Sequence, residues 1–394
     1  MQLSSEHMTQ LDLLRDDLRD LEQAHLMRQR RNNALPCAPL AVVDGREMLA
    51  FCSNDYLGLA GDPALADALA EGAQRWGAGS GASHLVSGHY DVQHTLEQGL
   101  ASFIGCERAL YFSTGYMANS GVIPALVGRG GAVFADRLNH ASLVDGMLLS
   151  RAETHRYPHL DLAALERMLQ ASTARRKLIA TDSVFSMDGD VAPLPDLLRL
   201  ADTYDAWLMV DDAHGFGVLG PNGRGAVAEA GIASWRLILI GTLGKAAGVS
   251  GAFVAGQTEL VEWLMQKART YIFTTGAPPA LAHALLCSLE LILNGDERRT
   301  HLEHLIALFR GRLQLKRWQL MPSRTPIQPI RVGDNAEALA LARALWDEGL
   351  WVPAIRPPTV PVGSARLRIS LSAAHTESDV ERLASTLNRL EHSL

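Results

Sequence analysis

A lysine in a glycine-rich turn offers the most chemistry in this chain. Lys245 stands in GTLGKAAGVSG (241–251), where small residues allow a ligand close approach, and it follows the strand-like run LILIG (237–241). An amine so placed is able to form a Schiff base with a carbonyl. A lysine by itself is ordinarily a solvated surface group, so the reading depends on its company. In WLMVDDAHGFGVLG an apolar run feeds directly into Asp211, and in α/β proteins the carboxyl ends of strands are where ligands bind. His214 follows three residues on. Asp211, Asp212 and His214 are also metal-ligand types, but no third ligand motif accompanies them, and no metal site is expected. Either aspartate alone is equally a helix cap or turn former.

A second group of residues suits an anion. STGYMANSG (113–121) follows the run ALYF and opens a helix-like stretch, so its backbone amides, with the hydroxyls of Ser113 and Thr114, fit a phosphate at a helix N-terminus. Thr242, three residues before Lys245, adds a hydroxyl from the same side of the sheet. His140 in DRLNHAS is a planar group able to stack on a flat ring, or else a loop histidine with ordinary hydrogen bonds. An amine, a carboxylate, phosphate donors and a stacking plane together meet the needs of pyridoxal phosphate. In that cofactor an anion beside the pyridine nitrogen keeps the ring protonated and makes it the better electron sink.

Two competing motifs fail on context. GAGSGAS (77–83) resembles a dinucleotide fingerprint, but no strand-like run precedes it and Gln74-Arg75-Trp76 reads as a helix end. GTLGKAA lacks both the glycine spacing and the Ser or Thr of a phosphate-binding P-loop.

The elements that must position these residues follow from the hydrophobic pattern. ALYFS (109–113), AVFAD (132–136), KLIATD (177–182), WLMVDD (207–212), LILIG (237–241) and GAFVAG (251–256) read as buried strands. Helix-length stretches such as LDLAALERMLQ (160–170) and PLPDLLRLADTY (193–204) separate several of them. Continuous apolar strands alternating with helices predict an α/β fold with a mostly parallel central sheet covered on both faces. Leu11, Leu14, Leu18 and Leu21 recur at helical steps, predicting a helix over 9–31 that serves as a lid, a dimer arm or a cap on the core. After about residue 290 amphipathic helices and the strand LRISLSA (367–373) indicate a smaller α+β unit. The expected division is an N-terminal helix and arm over 1–50, a large domain over 51–293 and a small C-terminal α+β domain over 294–394.

Composition narrows the class. The chain has 394 residues, 47% hydrophobic and 20% charged, which suits a globular enzyme and excludes wholesale disorder. A net charge of −7 gives no support to nucleic acid or an anionic membrane as the main partner. Cys37, Cys52, Cys106 and Cys287 lie far apart, so free thiols in a reducing, cytoplasmic setting are expected. No run of about 18 uncharged apolar residues is present and the N-terminus lacks the pattern of an export signal.

Taken in order, FCSNDYLGLA (51–60), GSGASHLVSG (79–88), STGYMAN, DRLNHASLVDG (136–146), DSVFSMDGD (182–190), DDAHGFGVLG, GTLGKAAGVSGAF (241–253) and YIFTTGAPP (271–279) resemble the motifs of the α-oxoamine synthases, fold-type I pyridoxal-phosphate enzymes. The likeness runs from about Arg28 to the C-terminus. It implies the aspartate-aminotransferase-like fold, with Lys245 as the Schiff-base lysine and Asp211 as the partner of the pyridine nitrogen. It also implies that His140 stacks on the ring, that His214 and Ser186 sit near its phenolic oxygen, and that Gly115, Tyr116 and Thr242 hold the phosphate. The family's sites are shared across a homodimer, which assigns Thr274 and Thr275 to the neighbouring subunit's phosphate. Arg356 would bind the amino acid carboxylate with Asn54 nearby, Arg28 would face the acyl substrate, and Thr359 lies in the same C-terminal loop as Arg356.

The activity so implied is a decarboxylative condensation of an amino acid with an acyl thioester. ASHLVSG (82–88) and RPPTVPVGSARLRISLSA (356–373) favour the branch of biotin synthesis that joins L-alanine to a pimeloyl group on CoA or acyl carrier protein. The alternative within the family is 2-amino-3-ketobutyrate CoA ligase or another α-oxoamine synthase. The alternative outside enzymes is a regulatory module that merely binds pyridoxal phosphate.

Overall fold

The computed structural model describes residues 9–393. Its centre is a seven-stranded sheet whose spatial order is 108–112, 252–256, 237–242, 206–211, 177–182, 132–136 and 153–157. Only Ala252–Gly256 runs antiparallel to its neighbours; the other pairings are parallel. Six of these strands were legible as apolar runs, and their ends move by a residue at most. The seventh, Glu153–Tyr157, has the sequence ETHRY, carries no apolar run and forms the exposed edge of the sheet.

Both faces of the sheet are covered, which is why its strands are apolar at every position. Leu208 and Val210 enter one core with Phe253, Tyr111 and Phe134, while Met209 enters the other with Ile238, Ile240 and Val254. Each such side chain removed from water contributes roughly 1.5–3 kcal/mol. The alternation decides where Asp211 goes: as an odd-numbered neighbour of Met209 it faces the side covered by helix Gly115–Leu126.

The C-terminal unit is a four-stranded antiparallel sheet in the order 319–320, 327–333, 365–370 and 354–355, packed with helices Asp296–Arg312, Asn335–Asp347 and Glu377–Ser393. The N-terminal arm is joined to the small unit by strand pairing. Strands Leu40–Val43 and Arg46–Ala50 form a hairpin, and the second pairs in parallel with Leu350–Trp351 of the small unit. Met48, Val43 and Ala50 share a small core there with Trp346 and Trp351.

The first helix spans Gln10–Gln23, eight residues short of its expected end. Thr9 and Asp12 form a capping box at its start, and it stops before His25, whose φ of 57° is left-handed. None of its residues is buried, and Leu11, Leu14 and Leu18 are more than half exposed at 55%, 58% and 52%. A cap on this chain's own core is therefore excluded. No helix among the described residues is long and apolar enough to cross a membrane.

Candidate active site

Strand ends form the floor of the site. Asp211 closes strand Ala206–Asp211 and stands in register with Asp182, the last residue of Lys177–Asp182. Both carboxylates are buried. Burial, and then the charge of Asp211, raises the pKa of Asp182 well above the ordinary carboxylate value. Asp211 is better satisfied: Oδ2 accepts from the Asn119 amide at 2.6 Å and Oδ1 accepts from the Ala213 N–H at 3.0 Å. Asn119 also donates to Ser142 Oγ at 2.8 Å, while its own Oδ1 is buried without a partner. An unpaired buried acceptor beside Asp211 leaves room for a donor from outside the chain.

Lys245 faces these acids. Its Nζ lies 3.0 Å from His214 Nε2. Burial lowers the lysine's pKa while Asp211 and Asp182 oppose the shift. An amine held this way is more often neutral than a surface lysine, and the neutral form attacks carbonyls and takes up protons. Burial, followed by the charges of Lys245 and Arg368, holds the pKa of His214 well below the usual value, so its imidazole is neutral.

The tautomer of that imidazole is set from behind. His214 Nδ1 is 2.7 Å from the Tyr56 hydroxyl, which lies 3.1 Å from Asn54 Oδ1. Arg368 donates to Asn54 Oδ1 at 3.1 Å and to the Tyr56 oxygen at 3.5 Å. With Lys245 as an ammonium, the chain is complete when Lys245 donates to Nε2, Nδ1–H donates to Tyr56 and Tyr56 donates to Asn54. With Lys245 neutral, Tyr56 turns to donate to Nδ1 and Nε2–H donates to the amine. Tyr56 therefore allows His214 to follow the proton on Lys245 without leaving a buried group unpaired.

Arg368 is itself buried, with Nε on the Ser186 carbonyl at 2.6 Å and NH1 on Ser370 Oγ at 2.8 Å. Among the described residues it has no carboxylate partner. A desolvated guanidinium of that kind calls for an anion. Ser186 thus enters the network through its carbonyl, while Asn54 enters through its side chain.

The anion cradle is built by a close approach. Thr114 Oγ accepts from Met117 N–H at 3.1 Å and caps helix Gly115–Leu126, leaving the first amides, those of Gly115 and Tyr116, without intrahelical acceptors. A Cβ on residue 115 would fall 2.5 Å from Thr242 Cγ2, so glycine is what lets the helix start meet the strand end. Ser113 is half-buried at the same turn. The Tyr116 hydroxyl bonds Asp145. His140 caps the next helix, Ala141–Ser150, with Nδ1 2.8 Å from Ser142 Oγ and its backbone N–H 2.7 Å from Asp182 Oδ2. Its ring remains exposed.

Other expected residues lie apart from this cluster. Thr274 and Thr275 make no hydrogen bond to it; Thr274 Oγ reaches only the Thr275 carbonyl, at 3.5 Å. Arg356 donates to the carbonyls of His25 and Met27, and its Nε is buried without a partner. Its pKa is lowered by burial and then by the charge of Arg28. Thr359 is exposed, with its N–H on the Arg356 carbonyl at 3.1 Å. The neighbour Asp212 serves the fold instead. It accepts from Ser183 Oγ at 2.5 Å and Ala226 N–H at 3.0 Å, and burial pushes its carboxyl up to about 7.

Sequence reasoning missed Tyr56, Asn119, Ser142, Asp182 and Arg368. Asp182 carried a signal, since it ends an apolar run as Asp211 does. So did Arg368: ARLRIS places two arginines on a strand buried at all six positions.

The residues fit pyridoxal phosphate on three counts: a half-buried amine over paired carboxylates, an unpaired acceptor beside Asp211, and a cradle that a Cβ would fill. Comparison with known proteins agrees. The family described as "Aminotransferase class I and II" matches residues 46–387. The 8-amino-7-oxononanoate synthase of Azoarcus sp. (strain BH72) is 76% identical over 97% of this chain and 98% of its own length. Among solved structures, the serine palmitoyltransferase of S. paucimobilis with a bound PLP–myriocin aldimine superposes with a TM-score of 0.91 at 29% identity, covering 98% of this chain and 99% of that one. The 8-amino-7-oxononanoate synthase of Francisella tularensis gives a TM-score of 0.76 at 32% identity, covering 88% and 98%.

Proposed function

The chain belongs to the class I and II aminotransferase family and, within it, to the 8-amino-7-oxononanoate synthases, and from that premise we propose how its own residues carry the reaction. The enzyme uses pyridoxal 5′-phosphate to make 8-amino-7-oxononanoate in biotin biosynthesis. The proposed substrates are L-alanine and a pimeloyl thioester, on CoA or acyl carrier protein, with carbon dioxide and the free thiol as co-products. The observation that carries the proposal is Lys245 Nζ, 3.0 Å from His214 Nε2 and lowered in pKa above Asp211 and Asp182.

Bound pyridoxal phosphate supplies an electron sink for the pair left on Cα when a proton, and later carbon dioxide, departs. Lys245 tethers the cofactor at rest, then takes the alanine α-proton and returns a proton at the end. Asp211, held by Asn119, keeps the ring nitrogen protonated. Gly115, Tyr116, Ser113 and Thr242 would hold the phosphate, and His140 would stack against the ring. His214, oriented by Tyr56, offers Nε2 first to Lys245 and then to the acyl carbonyl as negative charge grows there. Arg356 takes the alanine carboxylate in a charge-assisted contact, with Asn54, which accepts from Arg368 at 3.1 Å, nearby. Arg28, whose charge reaches Arg356, faces the acyl donor, and Thr359 lies beside Arg356.

A homodimer with shared sites is part of the proposal. Ser80 Oγ donates to the Gly276 carbonyl at 2.6 Å, which brings the segment of Thr274 and Thr275 against residues 80–88. Phe273 and Val86 in those two stretches are 69% and 79% exposed, as a surface awaiting a second copy would be. The unpacked leucine stripe of helix Gln10–Gln23 fits a dimer arm. A cytoplasmic location is in keeping with four free cysteines.

The test is kcat/KM for alanine, glycine and serine, each paired with pimeloyl-, acetyl-, succinyl- and palmitoyl-CoA, with products identified by mass. Alanine with the pimeloyl donor is expected to lead. A preference for glycine with acetyl-CoA would move the chain to the 2-amino-3-ketobutyrate ligase reaction. Turnover of pimeloyl-acyl carrier protein alone would keep the reaction and fix the donor.

A further inference from the structure

Away from Lys245, the start of helix Asp91–Ile104 gathers two histidines beside one carboxylate, with a third, His84, behind the first. His94 and Glu97 lie one turn apart on the same helix face, and His89 just precedes the cap residue Tyr90. One ligand atom from each of His89, His94 and Glu97 falls within 4.8 Å of the others. We propose that these three residues form a binding site for a divalent cation of the zinc class, with the remaining coordination positions filled by water.

The carboxylate is set up for it. Glu97 Oε1 accepts from the Tyr111 N–H at 2.8 Å, which anchors the group to strand Arg108–Phe112. The other oxygen makes no hydrogen bond; its nearest imidazole nitrogen, His89 Nε2, is 3.9 Å away, too far for one. The side chain is only 11% exposed. A largely buried carboxylate with one oxygen unmatched has room to accept a cation between it and the rings.

The rings are prepared as ligands. His89 is held from behind by a second ring, that of His84. His84 is buried, stacked on Tyr271 with ring centroids 4.8 Å apart, and its Nδ1 lies 3.0 Å from His89 Nδ1. Two neutral rings share one proton in that contact. When His89 donates it, its Nε2 lone pair faces Glu97, which is the arrangement by which a partner behind a ligand histidine fixes its tautomer. Two imidazoles and a carboxylate with an open side match the preference of Zn²⁺, and poorly that of Ca²⁺ or Mg²⁺, which take oxygen ligands.

The experiment uses the holoenzyme stripped with a chelator and titrated with Zn²⁺ by calorimetry and with Co²⁺ by visible absorption. The expected result is one cation per chain and Co²⁺ bands of low coordination number. His94→Ala, an exposed change, should weaken binding roughly tenfold or more, and Glu97→Gln should do the same if the chain still folds. His304→Ala, a surface histidine paired with Glu377, should leave binding unchanged. Equal affinity in His94→Ala and the unsubstituted enzyme, or no stoichiometric binding at all, would overturn the proposal.

Discussion

Removing the Tyr56 hydroxyl tests whether His214 is steered from behind. Tyr56→Phe keeps the ring in a position with no exposed surface and deletes contacts to His214 Nδ1 at 2.7 Å, Asn54 Oδ1 at 3.1 Å and Arg368 at 3.5 Å. The chief loss is the first, because it leaves a buried imidazole nitrogen unpaired, at a cost of about 1–3 kcal/mol. Expressed in the steps that need His214 oriented toward Lys245, that is a fall in kcat of roughly one to two orders of magnitude. KM for alanine should change much less, since Arg368 keeps its bonds to Ser186, Ser370 and Asn54. Steady-state kinetics over a range of pH, with thermal unfolding as a check on folding, reads both numbers. Tyr111→Phe is the control: an equally buried tyrosine whose hydroxyl makes a single 3.4 Å bond to the Ser250 carbonyl should leave kcat unchanged. A well-folded Tyr56→Phe enzyme with kcat within about twofold of the unsubstituted one would refute the steering argument, because twofold corresponds to less than one ordinary hydrogen bond.

Asp211→Asn should retain cofactor yet lose nearly all turnover, because the charge that keeps the ring nitrogen protonated is gone; Asp212→Asn should instead lower stability, and the reverse pattern would exchange their roles. Gly115→Ala should weaken cofactor affinity, measured by fluorescence titration, because its Cβ would lie 2.5 Å from Thr242 Cγ2, and unchanged affinity would remove Gly115 from the cradle. His159 bridges Asp136 at 3.0 Å and Asp190 at 2.6 Å, and these hydrogen bonds outweigh burial to raise its pKa to about 10. A histidine raised in the folded state stabilises fully below its unfolded value near 6.5 and loses that contribution as pH rises through the folded value. The unsubstituted enzyme should therefore lose stability, about 2 kcal/mol after allowing for its partly exposed ring, between pH 7 and 10, a slope that His159→Gln should lack; equal slopes in denaturant titrations would contradict the assignment.

The sheet was legible because a covered parallel strand must be apolar throughout, and the same pattern pointed to Asp211 at a strand end, though Asp182 beside it was passed over. Glu153–Tyr157 escaped since an edge strand needs no such run. Lys245, Asp211 and His214 stood out from their own local context, whereas Gly115 was singled out only by the family resemblance. Tyr56, Asn119 and Arg368 could not, because each acts through a contact with a residue far along the chain, such as the 312 positions between Tyr56 and Arg368. Pairing of the N-terminal hairpin with Leu350–Trp351 escaped for the same reason. The length of the first helix was overread because its leucine stripe is not buried against any of the described residues, so nothing there extends it.

The most direct test of the central claim asks which residue carries the cofactor. Borohydride reduction of the resting holoenzyme, followed by proteolysis and mass mapping, should fix pyridoxal phosphate covalently and stoichiometrically on Lys245, with Lys245→Ala retaining some cofactor but giving no adduct and no turnover. Stoichiometric recovery of the adduct on any other lysine would contradict the account.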